Sequence, residues 1–423
     1  MLTLESNKPR VALICVGSEL LRGKVNTHGS TLARSLASIG LELGEERTLA
    51  DDPTVLAQAI RQTLVRFDVI LITGGLGPTF DDVTREAAAA ASGHALKLSK
   101  PLLRLISSKF RKAGYRHMPP ANTRQAYLLA GARPIKNSRG TAPGQILELP
   151  GPRLLILLPG PPVELYPMID SAVLPALRRV FPAGPRSEAH LHFVGVPESV
   201  VDHKIRPVIS AAQKRSDIDL QFTILAHLGL VDFDIFVSAS SLAKAQRSMG
   251  RIVTQIRRRL GSAFYGQDVQ YPLEKVVGDL LRRRRATLAV AESCTGGMLS
   301  SRLTDIPGSS DYFLGGIVSY SNTVKERQLG VARGLLRDYG AVSRPVARAM
   351  AEGIRQRLGA TWGLSITGIA GPSGGSRRKP VGLVYIGLAS ATQTRVHEYT
   401  FRGTRDAIRQ RSVVAALDLL RSL

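Results

Sequence analysis

Residues 287–325 read TLAVAESCTGGMLSSRLTDIPGSSDYFLGGIVSYSNTVK, and the textures in this stretch decide the architecture of the last third of the chain. Thr287–Ala291 is a short apolar run with strand character. It breaks at Glu292-Ser293-Cys294-Thr295-Gly296-Gly297, after which Met298, Leu299 and Leu303 recur at helical spacing. A strand, a Gly-rich turn and a helix in that order put backbone N–H groups at a helix N-terminus, a favourable place for an anion. Ser310 follows a second turn, Pro307-Gly308-Ser309. Tyr320 and Lys325 lie on and just after a strand expected at Gly316–Tyr320.

A hydroxyl, a phenol and an amine suggest nucleophilic catalysis without histidine. A partly desolvated lysine can have its pKa lowered enough to accept the proton of a serine. The only histidine after Leu260 is His397, so a Ser–His pair is poorly supplied. Each residue also has a plain structural reading. Ser293 and Thr295 suit a helix cap, Ser310 a turn and Tyr320 a core edge, and spacing alone leaves both readings open.

The motifs ESCTGG, IPGSS (Ile306–Ser310), YSN-x-x-K (Tyr320–Lys325), GAVS (Gly340–Ser343) and TGIAGPSGG (Thr367–Gly375) together resemble the C-terminal domain of the CinA family. That family's domain is associated with deamidation of nicotinamide mononucleotide, with no cofactor. The resemblance implies Ser310 as nucleophile, with Tyr320 and Lys325 as its activating pair. It implies a nucleotide site lined by Ser293, Thr295, Gly296, Thr367, Gly371 and one arginine of the Arg402–Arg411 stretch, taken as Arg405.

The N-terminal part is α/β by its own pattern. Val69–Thr73 is a buried-type strand that runs into Gly74-Gly75-Leu76-Gly77-Pro78-Thr79-Phe80-Asp81-Asp82. Strand and helix patterns alternate from Arg10 to about Phe181, with helices expected at Thr31–Ile39 and Thr54–Arg66 and with Asp52 as a cap. Such alternation implies a mostly parallel sheet covered by helices, with ligands at the carboxyl ends of its strands. Gly74, Gly75 and Gly77 let backbone approach a phosphate, and the following acids can hold a divalent cation against it; a glycine turn before a capped helix is the plain alternative.

With GSELLRG (Gly17–Gly23), Asn122–Ala126, NSRGTAPG (Asn137–Gly144) and LPGPPVEL (Leu158–Leu165), this part resembles the CinA N-terminal domain, which is similar to molybdopterin-binding enzymes of the MoaB and MogA type. The resemblance implies a phosphorylated, nucleotide-like ligand at Gly74, Gly75, Gly77, Asn137 and Gly140. It implies a divalent metal at Asp82, and some family members are linked to metal-dependent hydrolysis of ADP-ribose. Many relatives carry an acid where this chain has Ser18, which sets hydrolysis apart from binding.

Between Pro185 and Gly266 the pattern becomes a small α+β unit. Strands are expected at His190–Gly195, Gln221–Ala226 and Val231–Ser238, with helices at Ser199–Ser210 and Leu242–Leu260. His190, His192, His203 and His227 lack the spacing of a metal site. Its position matches the middle domain of full-length CinA proteins, which implies a connecting and dimer-forming role. The expected division is therefore 1–184, 185–267 and 268–423, with a linker at Gly266–Pro272.

The chain has 423 residues, 57 Lys+Arg against 33 Asp+Glu, a net charge of +24 and a pI near 10.7. Such a field attracts phosphorylated metabolites, nucleic acid or anionic membrane. Aromatic residues are only 5% with no stacking motif among the arginines, which argues against nucleic acid as the partner. The competing readings are a DNA-associated competence or damage factor and a molybdopterin-handling enzyme. The first lacks a helix-turn-helix or zinc signal; the second leaves the last domain unexplained. Two cysteines, Cys15 and Cys294, make no disulfide framework and fit a reducing cytoplasm. The start, MLTLESNKPR, lacks a signal-peptide core, and the longest apolar runs are strand-length, so no membrane span is expected.

Overall fold

The computed structural model describes residues 9–182, 184–267 and 271–423, so the start of the chain and part of the expected 266–272 linker lie outside the described residues. The chain divides into two compact units, Met1–Arg186 and Ser187–Leu423. Among the described residues no helix is long and apolar enough to cross a membrane.

The first unit contains β1 (Arg10–Val16), β2 (Glu42–Leu49), β3 (Val69–Thr73), β4 (Leu96–Leu98), β5 (Tyr127–Leu129), β6 (Arg133–Ile135), β7 (Gly144–Leu149) and β8 (Arg153–Leu158). Its main sheet has the order β2-β1-β3-β8-β7-β6. The pairs from β2 to β8 are parallel, and β7 and β6 run antiparallel at one edge. The apolar run of β1 explains the layering. Val11, Leu13 and Cys15 join one core with Leu32 and Leu36, while Ala12, Ile14 and Val16 join another with Leu56 and Ile60. A strand buried on both faces needs an unbroken apolar sequence, because its alternate side chains enter opposite cores. The helix Pro53–Arg66 is capped by the Asp52 carboxylate, which accepts from Thr54 and Val55 N–H, as the Asp-Asp-Pro turn suggested.

The second unit holds two sheets. One consists of β9 (Arg186–Val194), β10 (Ile218–Ala226), β11 (Leu230–Ala239) and β12 (Phe264–Gln267) in the order β10-β11-β9-β12. Helices Glu198–Gln213 and Leu242–Leu260 share its core, with Ile205 and Ile252 packed with Phe193 and Phe233. The three histidines on or beside its strands are paired with aspartates: His190 with Asp234, and both His192 and His227 with Asp232. The other sheet consists of β13 (Leu288–Glu292), β14 (Phe313–Val318), β15 (Trp362–Gly368), β16 (Leu383–Ala389) and β17 (Thr394–Thr400), ordered β14-β13-β15-β16-β17. Only β14, β13 and β15 are parallel. Leu288 and Val290 face the helices Leu273–Arg283 and Arg405–Arg421, whereas Ala289 and Ala291 face Met350 and Ile354 of the helix Arg344–Leu358.

Strand β14 ends at Val318, two residues before Tyr320, and the following helix Asn322–Leu329 carries Lys325. That helix is seated against Gly353, where an added Cβ would lie 1.9 Å from the Leu329 carbonyl oxygen. Glycine-to-alanine normally favours a helix interior by about 1 kcal/mol. Here we expect the opposite sign: Gly353→Ala should destabilise the protein by about 1–3 kcal/mol, the usual cost of overpacking, as read by chemical denaturation. Unchanged or higher stability would show that the two helices do not depend on this approach.

Candidate functional site

The carboxyl ends of the parallel strands β13, β14 and β15 bring several chemically capable side chains together. Ser293 follows β13 directly, and its N–H is held by the Ile366 carbonyl of β15 at 2.9 Å. Lys325, 1% exposed, reaches back from its helix. Its Nζ donates to Ser293 Oγ at 3.0 Å and to the Ser319 carbonyl at 2.6 Å, and lies 3.4 Å from the Tyr320 carbonyl. The amine has no carboxylate partner among these contacts. Burial lowers its pKa to about 8, opposed only in part by Cys294. The neighbouring Cys294 thiol is also buried, which pushes it up to about 11.

The phenol of Tyr320 does not serve the lysine. It is exposed, and its hydroxyl accepts from Arg405 at 3.0 Å; the same guanidinium donates to the Gly371 carbonyl at 2.7 Å. Arg409, one turn on, donates to the Thr295 carbonyl at 2.8 Å beside Gly296. Thr367 turns its hydroxyl to the Ala341 carbonyl at 2.9 Å. The Thr295 hydroxyl is fully buried and makes no hydrogen bond among the described residues.

Three expectations are corrected here. Ser310 is not with the lysine: it lies on the exposed turn Ser309–Asp311 before β14, whereas Tyr320 and Lys325 follow the far end of that strand. The intervening six-residue strand spans roughly 17 Å at the usual rise. Tyr320 touches Lys325 through its backbone carbonyl, so it is not half of an activating pair. The helix N-terminus after ESCTGG does not await an anion, because Glu292 already fills it. That buried carboxylate accepts from the N–H groups of Gly297, Leu299 and Ser300 at 2.9–3.1 Å and from the Ser300 hydroxyl at 2.7 Å. The residues missed by the sequence reading are thus Glu292, Arg409 and the pairing of Ser293 with Lys325. The i, i+4 spacing of Arg405 and Arg409 was the available signal for the second arginine.

In the first unit a cavity of about 580 Å³ opens at the carboxyl ends of β1, β3 and β8, lined by Gly74, Gly75, Gly77 and Asp82. Gly74 is required at its position: φ is +97°, and a Cβ would lie 2.1 Å from the Val16 carbonyl oxygen. Asp82 is turned inward, accepting from Gly77 N–H at 2.7 Å and Thr79 N–H at 2.8 Å. From behind, the buried Arg85 holds the Leu76 and Gly77 carbonyls at 2.7 and 2.8 Å. Ser18 bonds Asp51, at 2.8 Å between hydroxyl and carboxylate, so a different strand end supplies an acid near that position. Asn137 and Gly140 do not line this cavity. Asn137 is buried and donates to the Ala142 carbonyl at 2.8 Å and to Glu164 at 2.5 Å, and it is Glu164 that faces the space. Gly140 leaves room for that carboxylate, 2.1 Å from where a Cβ would be.

Both oxygens of Asp82 are engaged by its own loop. Among the described residues no group of three His, Cys, Asp or Glu is placed to hold a metal ion. The donor set therefore does not fit a metal centred on Asp82, and no chemical step is derived through one.

Comparison with known proteins gives the lineage. A CinA-like protein of Dictyoglomus thermophilum is 40% identical over 413 residues, covering 97% of this chain and 98% of the relative. The chain belongs to the CinA family. Residues 270–423 match the CinA C-terminal domain, 12–179 the probable molybdopterin binding domain and 188–266 the damage-inducible protein CinA KH domain. A CinA-like protein of Solibacter usitatus is likewise 40% identical, with 97% of each chain covered. Among solved structures, CinA from Thermoplasma acidophilum is similar at 32% identity and a TM-score of 0.38, covering 40% of this chain and 99% of that one. The Agrobacterium tumefaciens competence/damage-inducible protein CihA shows 36% identity and a TM-score of 0.35, covering 37% of this chain and 98% of its own. Within the matched KH segment no G-x-x-G occurs, the loop by which KH modules clamp a nucleic-acid backbone.

The Glu292 contacts predict a stability effect. Glu292→Gln keeps the shape but removes the charge from a cluster of four donors, and should cost about 1–3 kcal/mol in chemical denaturation. Thr295→Val, which removes an unpartnered hydroxyl at nearly constant volume, should leave stability unchanged or raise it by up to about 1 kcal/mol. A Thr295→Val variant destabilised by several kcal/mol would mean that the hydroxyl has a structural partner.

Proposed function

We propose that the C-terminal domain of this CinA family protein is a serine–lysine amidohydrolase acting on the carboxamide of nicotinamide mononucleotide. The observation that carries the reading is the buried Lys325 amine, 3.0 Å from Ser293 Oγ, with a pKa near 8. At pH 7 roughly a tenth of such amines are neutral, against about one in 2,500 for an ordinary lysine. The substrate class comes from the family resemblance; the residues supply the chemistry.

In the proposed reaction the neutral Lys325 takes the Ser293 proton as Oγ bonds to the carboxamide carbon. The tetrahedral intermediate collapses, the C–N bond breaks, and Lys325 returns the proton to the departing nitrogen, which leaves as ammonia. Water then attacks the ester, giving its proton to Lys325 as the acyl C–O bond to Ser293 breaks. The products are nicotinate mononucleotide and the restored hydroxyl. Because Glu292 occupies the helix N-terminus, the cations available to the substrate phosphate are Arg405 and Arg409. Arg405, already fixed by Gly371 and Tyr320, is oriented at low entropic cost.

The cavity of the first unit supports binding of a phosphorylated, nucleotide-like ligand such as ADP-ribose at the Gly74–Gly77 turn. With Asp82 committed to its own loop, binding without hydrolysis is the reading we adopt for that domain. An assay for AMP release from ADP-ribose with divalent metals tests it: no release is expected, and robust release abolished by Asp82→Ala would overturn it.

For the amidase, ammonia and nicotinate mononucleotide should form from nicotinamide mononucleotide. Lys325→Met should lower the rate by about 10²–10⁴-fold, the usual contribution of a general base, and Ser293→Ala, which removes the nucleophile, should leave only background. Ser310→Ala and Cys294→Ala should keep near wild-type rates. A dead Ser310→Ala beside an active Ser293→Ala would reverse the assignment. The pH profile has a definite sign. Lys325 must be neutral to accept the proton, so kcat/KM should rise with pH and level off above about 8. A profile flat from pH 6 to 9 would remove the lysine from the mechanism.

A further inference from the structure

We infer that a second cavity, between the β9–β12 layer and the C-terminal sheet, binds a small anionic aromatic ligand of the nucleoside monophosphate class. Its volume is about 670 Å³, within the usual range of about 300–1,000 Å³ for small-molecule sites. It lies wholly within the second unit and shares no lining residue with the Ser293–Lys325 cluster.

Two walls argue for a planar ligand. Tyr399 and Phe401 alternate on β17 and its continuation, so both rings project from one face of the edge strand. Their centroids are 5.4 Å apart with planes inclined by only 11°. Both rings are half-buried and lean on the core around Val414 of the last helix. Gly195 and Gly229 also line the cavity, with the Gly195 N–H donating to the Gly229 carbonyl at 3.2 Å. His397, Tyr399 and Phe401 form one stacked column, and a heterocycle that extends it at the Phe401 end gains stacking of about 1–3 kcal/mol, as per base in nucleic-acid sites.

The charges argue for an anion. Asp418 is neutralised by Arg421, at 2.7 and 3.0 Å, and the His227 ring is hydrogen-bonded to Asp232 at 3.0 Å. Arg411 donates to the Arg402 carbonyl, a neutral acceptor. The exposed Arg402 guanidinium makes no hydrogen bond or ion pair among the described residues. The charge left facing the cavity is therefore two guanidiniums against Glu198 alone. A ring stacked on Phe401 would carry its phosphate to Arg402 and Arg411. Three residues separate Phe401 from Arg405, so an occupant acts on the segment that delivers Arg405 to Tyr320 and Gly371. The binding itself stands independently of the amidase reading.

The test is hydrogen–deuterium exchange on the full chain with AMP as probe, and with adenosine and inorganic phosphate as separate arms. AMP should protect residues 226–231 and 399–405, and each half-ligand should protect them less. Arg402→Gln, a surface change that leaves the fold intact, should weaken AMP protection at least tenfold in concentration, and Phe401→Leu should do the same by removing the stacking face. A Ser293→Ala background should leave the protection unchanged, which separates this site from the amidase centre. Protection confined to residues 293–297 and 367–371, or to the Gly74–Asp82 turn, would overturn the proposal. So would no protection of 399–405 at millimolar AMP, or equal protection in the Arg402→Gln variant.

Discussion

A lysine amine held out of water and offered a serine hydroxyl instead of a carboxylate is the constraint on which the C-terminal site depends. Burying a cation is costly unless it is paired or gives up its proton. Among the described residues Lys325 pairs with no carboxylate, only with Ser293 Oγ and the Ser319 and Tyr320 carbonyls, so its charged form is weakened and the base form becomes accessible near neutral pH. The surrounding fold maintains this arrangement. Parallel β13 and β14 end side by side, Ser293 is tethered to β15 through its N–H, and Gly353 lets the lysine's helix sit close enough to reach back.

Both Gly-rich turns obey a second rule: each is closed by an acid from its own neighbourhood. Asp82 takes the N–H groups of Gly77 and Thr79, and Glu292 takes those of Gly297, Leu299 and Ser300. An internal carboxylate fixes a turn's shape, yet it occupies donors that a ligand phosphate would otherwise use. In the proposed reading of the C-terminal domain, phosphate recognition then falls to Arg405 and Arg409 beside the turn.

The layered α/β class was legible because its signal is local and strong. The unbroken apolar runs of β1, β3 and β13 each serve two cores, and Asp52 caps its helix through sequence-adjacent donors. Strands such as β2, ELGEERTL, escaped notice because an edge strand needs little hydrophobicity. The site was half legible. Ser293, Tyr320, Lys325, Arg405 and Gly371 were singled out and converge at the carboxyl ends of the parallel strands, but their partnerships were misread. Ser310 stands fifteen residues before Lys325, yet a strand between them carries the chain from the amino ends of the parallel strands to their carboxyl ends. Ser293, thirty-two residues away, lies at the correct end because parallel strands align their carboxyl ends. Proximity in sequence misled where topology decides. The buried Glu292 cap was likewise invisible, since nothing in ESCTGG says which way the glutamate turns.

The central claim, that Ser293 is the residue acylated, is tested most directly by trapping the intermediate. Mixing the full chain with nicotinamide mononucleotide, quenching in acid within the first turnover and digesting with trypsin separates the two serines cleanly: Ala286–Arg302 carries Ser293 and Leu303–Lys325 carries Ser310. Mass spectrometry should find the nicotinate mononucleotide ester on the first peptide, fragmenting to Ser293, and none in the Ser293→Ala protein. An ester on Leu303–Lys325 would contradict the account.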